Sequence, residues 1–318
     1  MIGKLVYRTE KGEIYNGDSY KVLSNKRFTN KYKGKIQLIF TSPPFPLTKE
    51  KKYGNLLGQE YINWIANFAP LYSNLLTDDG SIVIEIGNAW NANSPTMSTA
   101  PIEALLKFKE KGNLNLCQEF ICNNPSRLPS PAFWVNHKRI RVKDSYTRIW
   151  WLSKTEYPKA NNKNILLEYS ASMKKLLKTK KYNGGVRPSG HNIGETSFLK
   201  KYKGSIASNF MDYDLFSRLL LEGGENGLSI ANTDNQKQYQ KYCKEKNLVI
   251  HPARMPIDLA RYFILFLTDE EDIVLDPFAG SNITGLAAEK QNRKWVGIEM
   301  NEEYIAGSKG RFQSDTLK

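Results

Sequence analysis

The sequence predicts an α/β protein built on a doubly wound, mostly parallel sheet. Residues 36–40 and 81–86 are short, mainly apolar stretches, which is the composition of strands buried in a parallel sheet. Residues 59–76 between them repeat apolar side chains at helical spacing and end at a Thr-Asp-Asp-Gly turn. Strands that alternate with helices in this way are typical of sheets covered by helices on both faces.

The remaining elements follow from the same kinds of pattern. Residues 5–10 and 13–18 alternate polar and apolar side chains around a Lys-Gly turn, which indicates a β-hairpin. A helix is expected from Pro101 to Lys111, because proline is favoured in a first helical turn. The other predicted elements are strands at 116–122, 147–152, 273–275 and 295–298, and helices at 251–267 and 283–290.

Residues 155–250 differ in composition from the segments on either side. Lys, Asn, Gly and Ser dominate them, and apolar periodicity fades until about residue 248. We therefore expect an irregular region inserted between two halves of one sheet domain, residues 1–154 and 251–318.

The chain carries a strong positive charge. Its 318 residues include 46 Lys and Arg against 32 Asp and Glu, a net charge of +14. An excess of this size indicates a polyanionic partner, usually nucleic acid, although some basic proteins are merely well hydrated. The three Cys and three His lack metal-ligand spacing, so neither a metal site nor disulfides are expected. Without a signal-peptide pattern or a membrane-length apolar run, a cytoplasmic protein is expected.

A β-α-β pattern near the C-terminus indicates a nucleotide site. A strand ending at Asp276 leads into a Phe-Ala-Gly-Ser-Asn turn, a helix and a second strand ending at Glu299. An acid about 20 residues beyond a glycine turn is placed to bind ribose hydroxyls. The turn lacks the glycines that accommodate a pyrophosphate, which disfavours a nicotinamide oxidoreductase, and it is not a P-loop.

S-adenosylmethionine is an adenosine ligand without a diphosphate, and it suits this pattern. Its methionine carboxylate would lie near the helix start after Asn282, and its sulfonium against carbonyl groups or Phe278. An ordinary strand–turn–helix unit fits the same residues about equally well.

Residues 42–45, Ser-Pro-Pro-Phe, directly follow a buried strand and predict a reactive loop. Suppose that the substrate is the exocyclic amine of a DNA base. Such an amine is a poor nucleophile, because its lone pair is delocalised into the ring. The Ser42 hydroxyl and the Pro43 carbonyl could accept its two hydrogens and favour the pyramidal nitrogen that attacks a methyl sulfonium. Pro43 and Pro44 stiffen the loop and remove backbone donors, and Phe45 could stack on a base swung out of the duplex. A rigid turn capping the strand is the alternative.

Three motifs resemble those of the amino-methyltransferases of bacterial restriction–modification systems: LIFTSPPF at 38–45, HPARMP at 251–256 and DPFAGSNITG at 276–285. The resemblance extends to YNGD at 15–18, GSIVIEIGNAW at 80–90 and RIWWLSK at 148–154. The catalytic motif precedes the cofactor motif, as in the β arrangement. Ser42 is similar to the cytosine-N4 group, whereas adenine-N6 enzymes usually carry Asp or Asn there. Phe45 departs from the commoner Tyr, and Ile283 from a frequent Thr.

The resemblance implies a Rossmann-like, AdoMet-dependent methyltransferase that methylates the N4 amine of a flipped cytosine in duplex DNA. It would protect that site from a cognate restriction endonuclease and act as a monomer or weak dimer. Residues 1–154 would form the catalytic half, 155–250 the target-recognition region and 251–318 the AdoMet-binding half. The expected catalytic residues are Ser42, Pro43, Pro44 and Phe45. The expected cofactor contacts are Asp18 to the adenine, Glu299 to the ribose, and Thr41, Pro252, Ala253, Asp276, Pro277, Phe278, Gly280 and Ser281 elsewhere.

Basic residues predict where the DNA would lie. One set, interleaved with aromatic residues, comprises Lys174, Lys175, Lys181, Arg187, Lys200, Lys201 and Lys203, and it can track phosphates. A second set contains Arg139 and Arg141 with Arg127, Lys138 and Lys143. Lys49, Lys51 and Lys52 follow the reactive loop and could guide DNA toward it. A solvated charged surface is the competing interpretation for each set.

Two other functions stay open, and one is excluded. Adenine-N6 methylation uses the same kind of loop, and a regulator could retain the fold without catalysis. A protein that only binds DNA, however, would not require the two hydrogen-bond acceptors of Ser42 and Pro43 directed at an amine. Cytosine C5 methylation requires a thiolate that follows proline in that family, whereas Cys117, Cys122 and Cys243 follow Leu, Ile and Tyr.

Overall fold

A nine-stranded sheet forms the centre of the protein in the computed structural model, which describes residues 3–46, 56–194, 196–220, 237–253 and 255–312. Lys49, Lys51 and Lys52 lie outside the described residues. The strands are β1 (Lys4–Arg8), β2 (Gly12–Asn16), β3 (Ile36–Thr41), β4 (Leu76–Gly87), β5 (Asn115–Asn123), β6 (Tyr146–Ser153), β7 (Gly185–Val186), β8 (Asn192–Ile193), β9 (Phe210–Met211), β10 (Ile273–Asp276) and β11 (Lys294–Glu299). The order across the sheet is β1-β2-β11-β10-β3-β4-β6-β5-β9, and β7 and β8 form a separate hairpin.

Most neighbouring strands of the sheet run parallel. β2, β11, β10, β3 and β4 form a continuous parallel block. β1 and β6 run opposite to their neighbours. The predicted mostly parallel sheet is confirmed.

Helices cover both faces of the sheet. They are α1 (Ser19–Leu23), α2 (Lys26–Tyr32), α3 (Gly58–Leu75), α4 (Ala100–Gly112), α5 (Ala171–Thr179), α6 (Tyr213–Ser217), α7 (Lys237–Glu245), α8 (Ile257–Leu267), α9 (Ile283–Lys290) and α10 (Glu302–Ser308). Leu38 and Phe40 of β3 belong to the core formed with α8 and α9, whereas Ile39 belongs to the core formed with α3 and α4. Because both faces are buried, these strands are mainly apolar, and their buried polar residues include Gln37 and Thr41 of β3.

The structure differs from the sequence prediction at residues 77–80, which were expected to form a turn before the strand. β3 and β4 pair at Ile36 and Leu76, and the register then shifts so that Leu38 pairs with Ser81. The Thr77 hydroxyl donates to the Gln37 side-chain oxygen at 2.8 Å. Residues 77–80 therefore form an irregularity inside β4 instead of a turn that precedes it.

The two halves of the chain interleave in one sheet. β10 and β11 come from the last part of the chain but lie between β2 and β3. The carboxyl ends of β2, β11, β10, β3 and β4 consequently meet at one edge, which is where open α/β sheets bind ligands. The reactive loop after β3 and the glycine turn after β10 are brought together there.

Residues 155–250 contribute more to the core than their composition indicates. β9 extends the sheet next to β5, and Ile165, Leu167 and Phe216 are buried in the same core as α8. Tyr239 of α7 is fully buried and lies under the Arg311 guanidinium, 4.3 Å from its ring centre. No residue of α5 is buried. The division of the chain at residues 154 and 250 stays a prediction.

Candidate active site

A cavity of about 500 Å³ opens at the carboxyl edge of the sheet. Sites for small molecules are commonly of roughly 300–1,000 Å³. The predicted site residues that line the cavity are Asp18, Ser42, Pro43, Pro44, Phe45, Ala253, Asp276, Pro277, Phe278, Gly280, Ser281 and Glu299. The reactive loop and the cofactor turn therefore face one shared space, although they lie far apart in the sequence.

Ser42 and Glu85 both line the cavity, and the Ser42 hydroxyl is near enough to the Glu85 carboxylate to act on its pKa. The Thr147 hydroxyl donates to the same carboxylate at 3.0 Å. Burial raises the pKa of Glu85, while the hydrogen bonds from Thr147 and Ser42 and the charge of Arg127 act in the opposite direction. Glu85 keeps part of its surface open because it faces the cavity, and the rest is enclosed by protein.

Sequence reasoning missed Glu85. Its signal was a single acid within the otherwise apolar stretch Ile82–Ile86 of β4, which reads as an ordinary strand. The strand pairing brings the residue to the cavity, because β4 places Glu85 beside Ile149 of β6 and next to the loop that follows β3.

Phe45 lies against the end of β4. A side chain on Gly87 would place its Cβ 2.5 Å from Cδ2 of the Phe45 ring, so only glycine leaves room for the ring in this position. The ring is half-buried and one side lines the cavity. The predicted stacking residue is thus held by packing at the cavity wall.

The Asp276 carboxylate organises the turn after β10. It accepts hydrogen bonds from the Thr41 hydroxyl at 2.8 Å, the Thr284 hydroxyl at 2.6 Å and the Phe278 backbone N–H at 3.0 Å. Burial raises the pKa of Asp276, and these three hydrogen bonds oppose the rise. Asp276 therefore fixes the shape of the turn as well as facing the cavity.

Two predicted cofactor residues lie away from the cavity lining. Thr41 is fully buried and stands behind Asp276, to which it donates its hydroxyl hydrogen. Pro252 is exposed, whereas its neighbour Ala253 lines the cavity. Thr41 thus supports the turn from behind, and the assignment of Thr41 and Pro252 as cofactor contacts stays a prediction.

Glu299, the last residue of β11, holds the glycine turn after the neighbouring strand β10 through hydrogen bonds. Its carboxylate accepts the Gly280 N–H at 2.8 Å and the Asn301 N–H at 2.8 Å. Burial raises the pKa of Glu299, and the backbone hydrogen bonds oppose the rise. Gly280 has a φ of 52°, and a Cβ there would lie 3.0 Å from Nε2 of His251. Glycine is required by both the backbone conformation and the space.

An aromatic group lines the same part of the cavity. The Phe278 ring contacts Trp64 and Phe68 of α3, with ring centres 5.6 and 5.4 Å apart. Both α3 residues line the cavity, and sequence reasoning treated them only as part of a helix. Asp18 accepts the Lys21 N–H at 2.9 Å as the cap of α1, which fixes its position at the cavity edge.

The comparison with known proteins decides the family. The family described as DNA methylase matches residues 36–310. The type II methyltransferase M.PvuII of Proteus hauseri is 40% identical over 316 residues, which cover 99% of this chain and 87% of that relative. The chain belongs to the DNA methylase family. The resemblance that the motifs indicate is confirmed.

Two solved structures of methyltransferases have a fold similar to that of this DNA methylase. The structure of the PvuII DNA methyltransferase (cytosine-N4-specific) matches with a TM-score of 0.70 and 33% identity, covering 98% of this chain and 89% of that chain. The M1.HpyAVI–SAM complex matches with a TM-score of 0.50 and 20% identity, covering 94% and 98%. The second likeness concerns the fold alone, and it fits the predicted Rossmann-like sheet.

The basic residues predicted to contact DNA lie on the surface of the methylase. Lys174 pairs with Glu168 at 2.5 Å, and Lys200 lies 5.3 Å from the ring centre of Tyr202. The Arg187 guanidinium donates to the Asn183 carbonyl at 2.7 Å. Arg141 lies over the Trp90 ring, 3.0 Å from its centre. The other predicted contacts are exposed: Lys175, Lys181, Lys201, Lys203 and Arg139.

The described ranges contain neither a candidate metal centre nor a candidate membrane span. Within them, no cluster of three or more His, Cys, Asp or Glu side chains is arranged to hold a metal ion. In the same ranges, no helix combines the length and the apolar character needed to cross a membrane.

Proposed function

We propose that this methylase transfers a methyl group from S-adenosylmethionine to the N4 amine of a cytosine flipped out of duplex DNA. The observation that carries the proposal is that Ser42 and Glu85 line the same cavity as the cofactor turn. The cytosine-N4-specific PvuII enzyme, which matches almost the whole chain, supports this choice of base and amine.

The residues on one side of the cavity fit S-adenosylmethionine. Asp18 and Glu299 offer carboxylate oxygens for adenine and ribose, and Phe278 with Trp64 and Phe68 offers aromatic surface. When bound, the cofactor supplies a methyl group on a sulfonium sulfur. The contacts assigned to Ala253, Pro277, Gly280 and Ser281 are part of the same proposal.

The Ser42–Glu85 pair would hold the target amine. With its hydroxyl hydrogen directed to Glu85, the Ser42 oxygen would keep its lone pairs free to accept an N–H from the amine. The Pro43 carbonyl would accept the second N–H, and no backbone N–H of Pro43 or Pro44 competes. Two acceptors favour the pyramidal nitrogen, which is the geometry of the transition state.

Glu85 would receive the proton that the amine must lose. The Ser42 oxygen can take the N–H proton while its own hydroxyl proton passes to the Glu85 carboxylate. A buried carboxylate whose pKa is raised is a better proton acceptor than an exposed one. No imidazole is needed for this transfer.

The wider context forms part of the proposal. Residues 155–250 would be the target-recognition region, with the basic residues of 174–203 and Arg139 and Arg141 against phosphates. The protein would act in the cytoplasm, where its DNA lies, as a monomer or weak dimer. A cognate restriction endonuclease would cut the unmethylated site.

Nucleoside analysis tests the proposal directly. The protein is incubated with labelled S-adenosylmethionine and mixed-sequence duplex DNA, and the DNA is digested to nucleosides. We expect the label in N4-methylcytosine. Label in N6-methyladenine would assign the other amine, and no labelled nucleoside would contradict the enzyme assignment.

A further inference from the structure

The loop that joins β5 to β6, residues 124–145, exposes apolar side chains, and its root lines the cavity. None of its 22 residues is buried. Leu128 is 80% exposed, Val142 87%, Ile140 61% and Phe133 51%. Apart from one π-helical turn, Phe133–His137, the loop is irregular, and irregular connections of this length are uncommon and usually functional or disordered. Exposed apolar side chains grouped in one loop mark a contact surface.

The root of the loop is fixed next to the target side of the cavity. Asn124 and Arg127 line the cavity. The Arg127 guanidinium donates to Asp144 at 3.1 Å and to the Tyr146 carbonyl at 2.9 Å. The Asn88 side chain, which follows β4, donates to the other oxygen of Asp144 at 2.8 Å. The apolar side chains are therefore presented from an anchored base.

The charge of the loop indicates what it contacts. It contains Arg127, Lys138, Arg139, Arg141 and Lys143 against one acid, Asp144, which is paired at the root. A second copy of a chain with a net charge of +14 would repel this surface. DNA attracts the basic residues through its phosphates and offers apolar base faces to the exposed side chains.

We propose that the apolar side chains of the 124–145 loop enter the base stack of duplex DNA at the place the target cytosine leaves. This inference rests on the proposed function, because it requires a flipped base. Extruding a base costs unstacking and unpairing energy, and apolar side chains inserted between base steps offset such a cost. The loop that carries them is anchored where Asn124 and Arg127 line the cavity that would receive the base.

The test compares paired and pre-opened targets. Duplexes are built around the cytosine that the wild-type protein methylates in plasmid DNA, with that cytosine facing either guanine or an abasic site. The variants are the double substitution Leu128→Ala and Val142→Ala and, separately, Phe133→Ala. Val6→Ala is the matched control, because Val6 is exposed on β1 at the far end of the sheet. Single-turnover rates are measured at saturating protein, and thermal unfolding verifies that each variant folds.

On the paired duplex, at least one loop variant should methylate about tenfold more slowly than the wild type. On the abasic-opposed duplex, the rate of the same variant should stay within about twofold of the wild-type rate, because an unpaired base costs little to extrude. The Val6→Ala control should match the wild type on both. Unchanged rates for both loop variants, or equal slowing on both duplexes, would overturn the inference. If the wild type itself yields no N4-methylcytosine, the proposed function is contradicted. This result differs from a failure of the loop inference, in which the wild type is active and the loop variants behave like it.

Discussion

Ser42 and Glu85 line one cavity from the carboxyl ends of the neighbouring parallel strands β3 and β4. A hydrogen bond from the Ser42 hydroxyl to the Glu85 carboxylate would orient the hydroxyl and leave its oxygen as an acceptor facing the cavity. Enclosing the Glu85 carboxylate in protein costs free energy. A purely structural role of Ser42 as a cap of the strand would not explain why a carboxylate lies beside it. Ser42 and Glu85 therefore act as one unit in the proposed reaction.

Glu85→Gln should lower the rate of methyl transfer by at least about a hundredfold, because general base catalysis typically contributes that much or more. The amide keeps the shape of the side chain but cannot take a proton. The affinity for S-adenosylmethionine, measured by calorimetry, should stay unchanged. Glu103→Gln on the exposed side of α4 is the matched control and should behave as wild type. A Glu85→Gln enzyme with normal turnover would remove the proposed proton acceptor.

The rate of methyl transfer should fall as pH drops through the pKa of Glu85. Burial raises this pKa, so the protonated form is populated at higher pH than for an exposed glutamate. Protonated Glu85 cannot accept a proton, so activity is present above the pKa and lost below it. The turnover number is measured against pH for wild type and Glu85→Gln. The acid limb should be absent in the variant, and the same limb in both would assign it to another group.

Glu299→Gln should weaken S-adenosylmethionine binding by roughly 10- to 100-fold, which corresponds to the loss of a charged hydrogen bond of about 1.5–3 kcal/mol. The carboxylate holds the Gly280 turn and would accept a ribose hydroxyl. Calorimetric titration gives the affinity, and Glu302→Gln, an exposed acid in the first turn of α10, is the control. DNA affinity should not change. An unaltered cofactor affinity would remove Glu299 from the cofactor site.

Neutralising Lys200, Lys201 and Lys203 should flatten the salt dependence of DNA binding. Each phosphate contact contributes about 0.9 to the slope of log K against log salt, so the slope should fall by up to about 2.7. The control replaces Lys107, Lys109 and Lys111 of α4 in the same way. An unchanged slope in the first variant, or an equal loss in the control, would place the interface elsewhere.

Most of the fold follows from local sequence patterns. Strands such as β3 and β10 are predictable because burial on both faces makes them mainly apolar, and proline marks the start of α4. The helix predicted from residue 251 begins only at Ile257, as α8. Residues 77–80 were predicted wrongly as a turn, because pairing with β3 holds a turn-like sequence inside β4. The burial of Tyr239 was missed because it depends on contacts with residues distant in the sequence, among them Arg311 and His251.

The site was predictable where the residues that indicate its chemistry are consecutive in the sequence, as in 42–45 and 276–281. It was not predictable where function depends on strands that are neighbours only in the fold. Glu85 has no distinguishing neighbour in the sequence, and Trp64 and Phe68 look like any apolar helix face. Their roles come from the register of β4 and from the approach of α3 to Phe278.

The most direct test of the central claim measures turnover and cofactor affinity together in Ser42→Ala. Removing one preorganised contact to the transition state should lower turnover by about a hundredfold or more. The dissociation constant for S-adenosylmethionine should stay within about twofold of wild type, because Ser42 is placed against the amine and not the cofactor. Turnover that survives the substitution, or an equal loss of turnover and cofactor binding, would contradict the proposed role of Ser42.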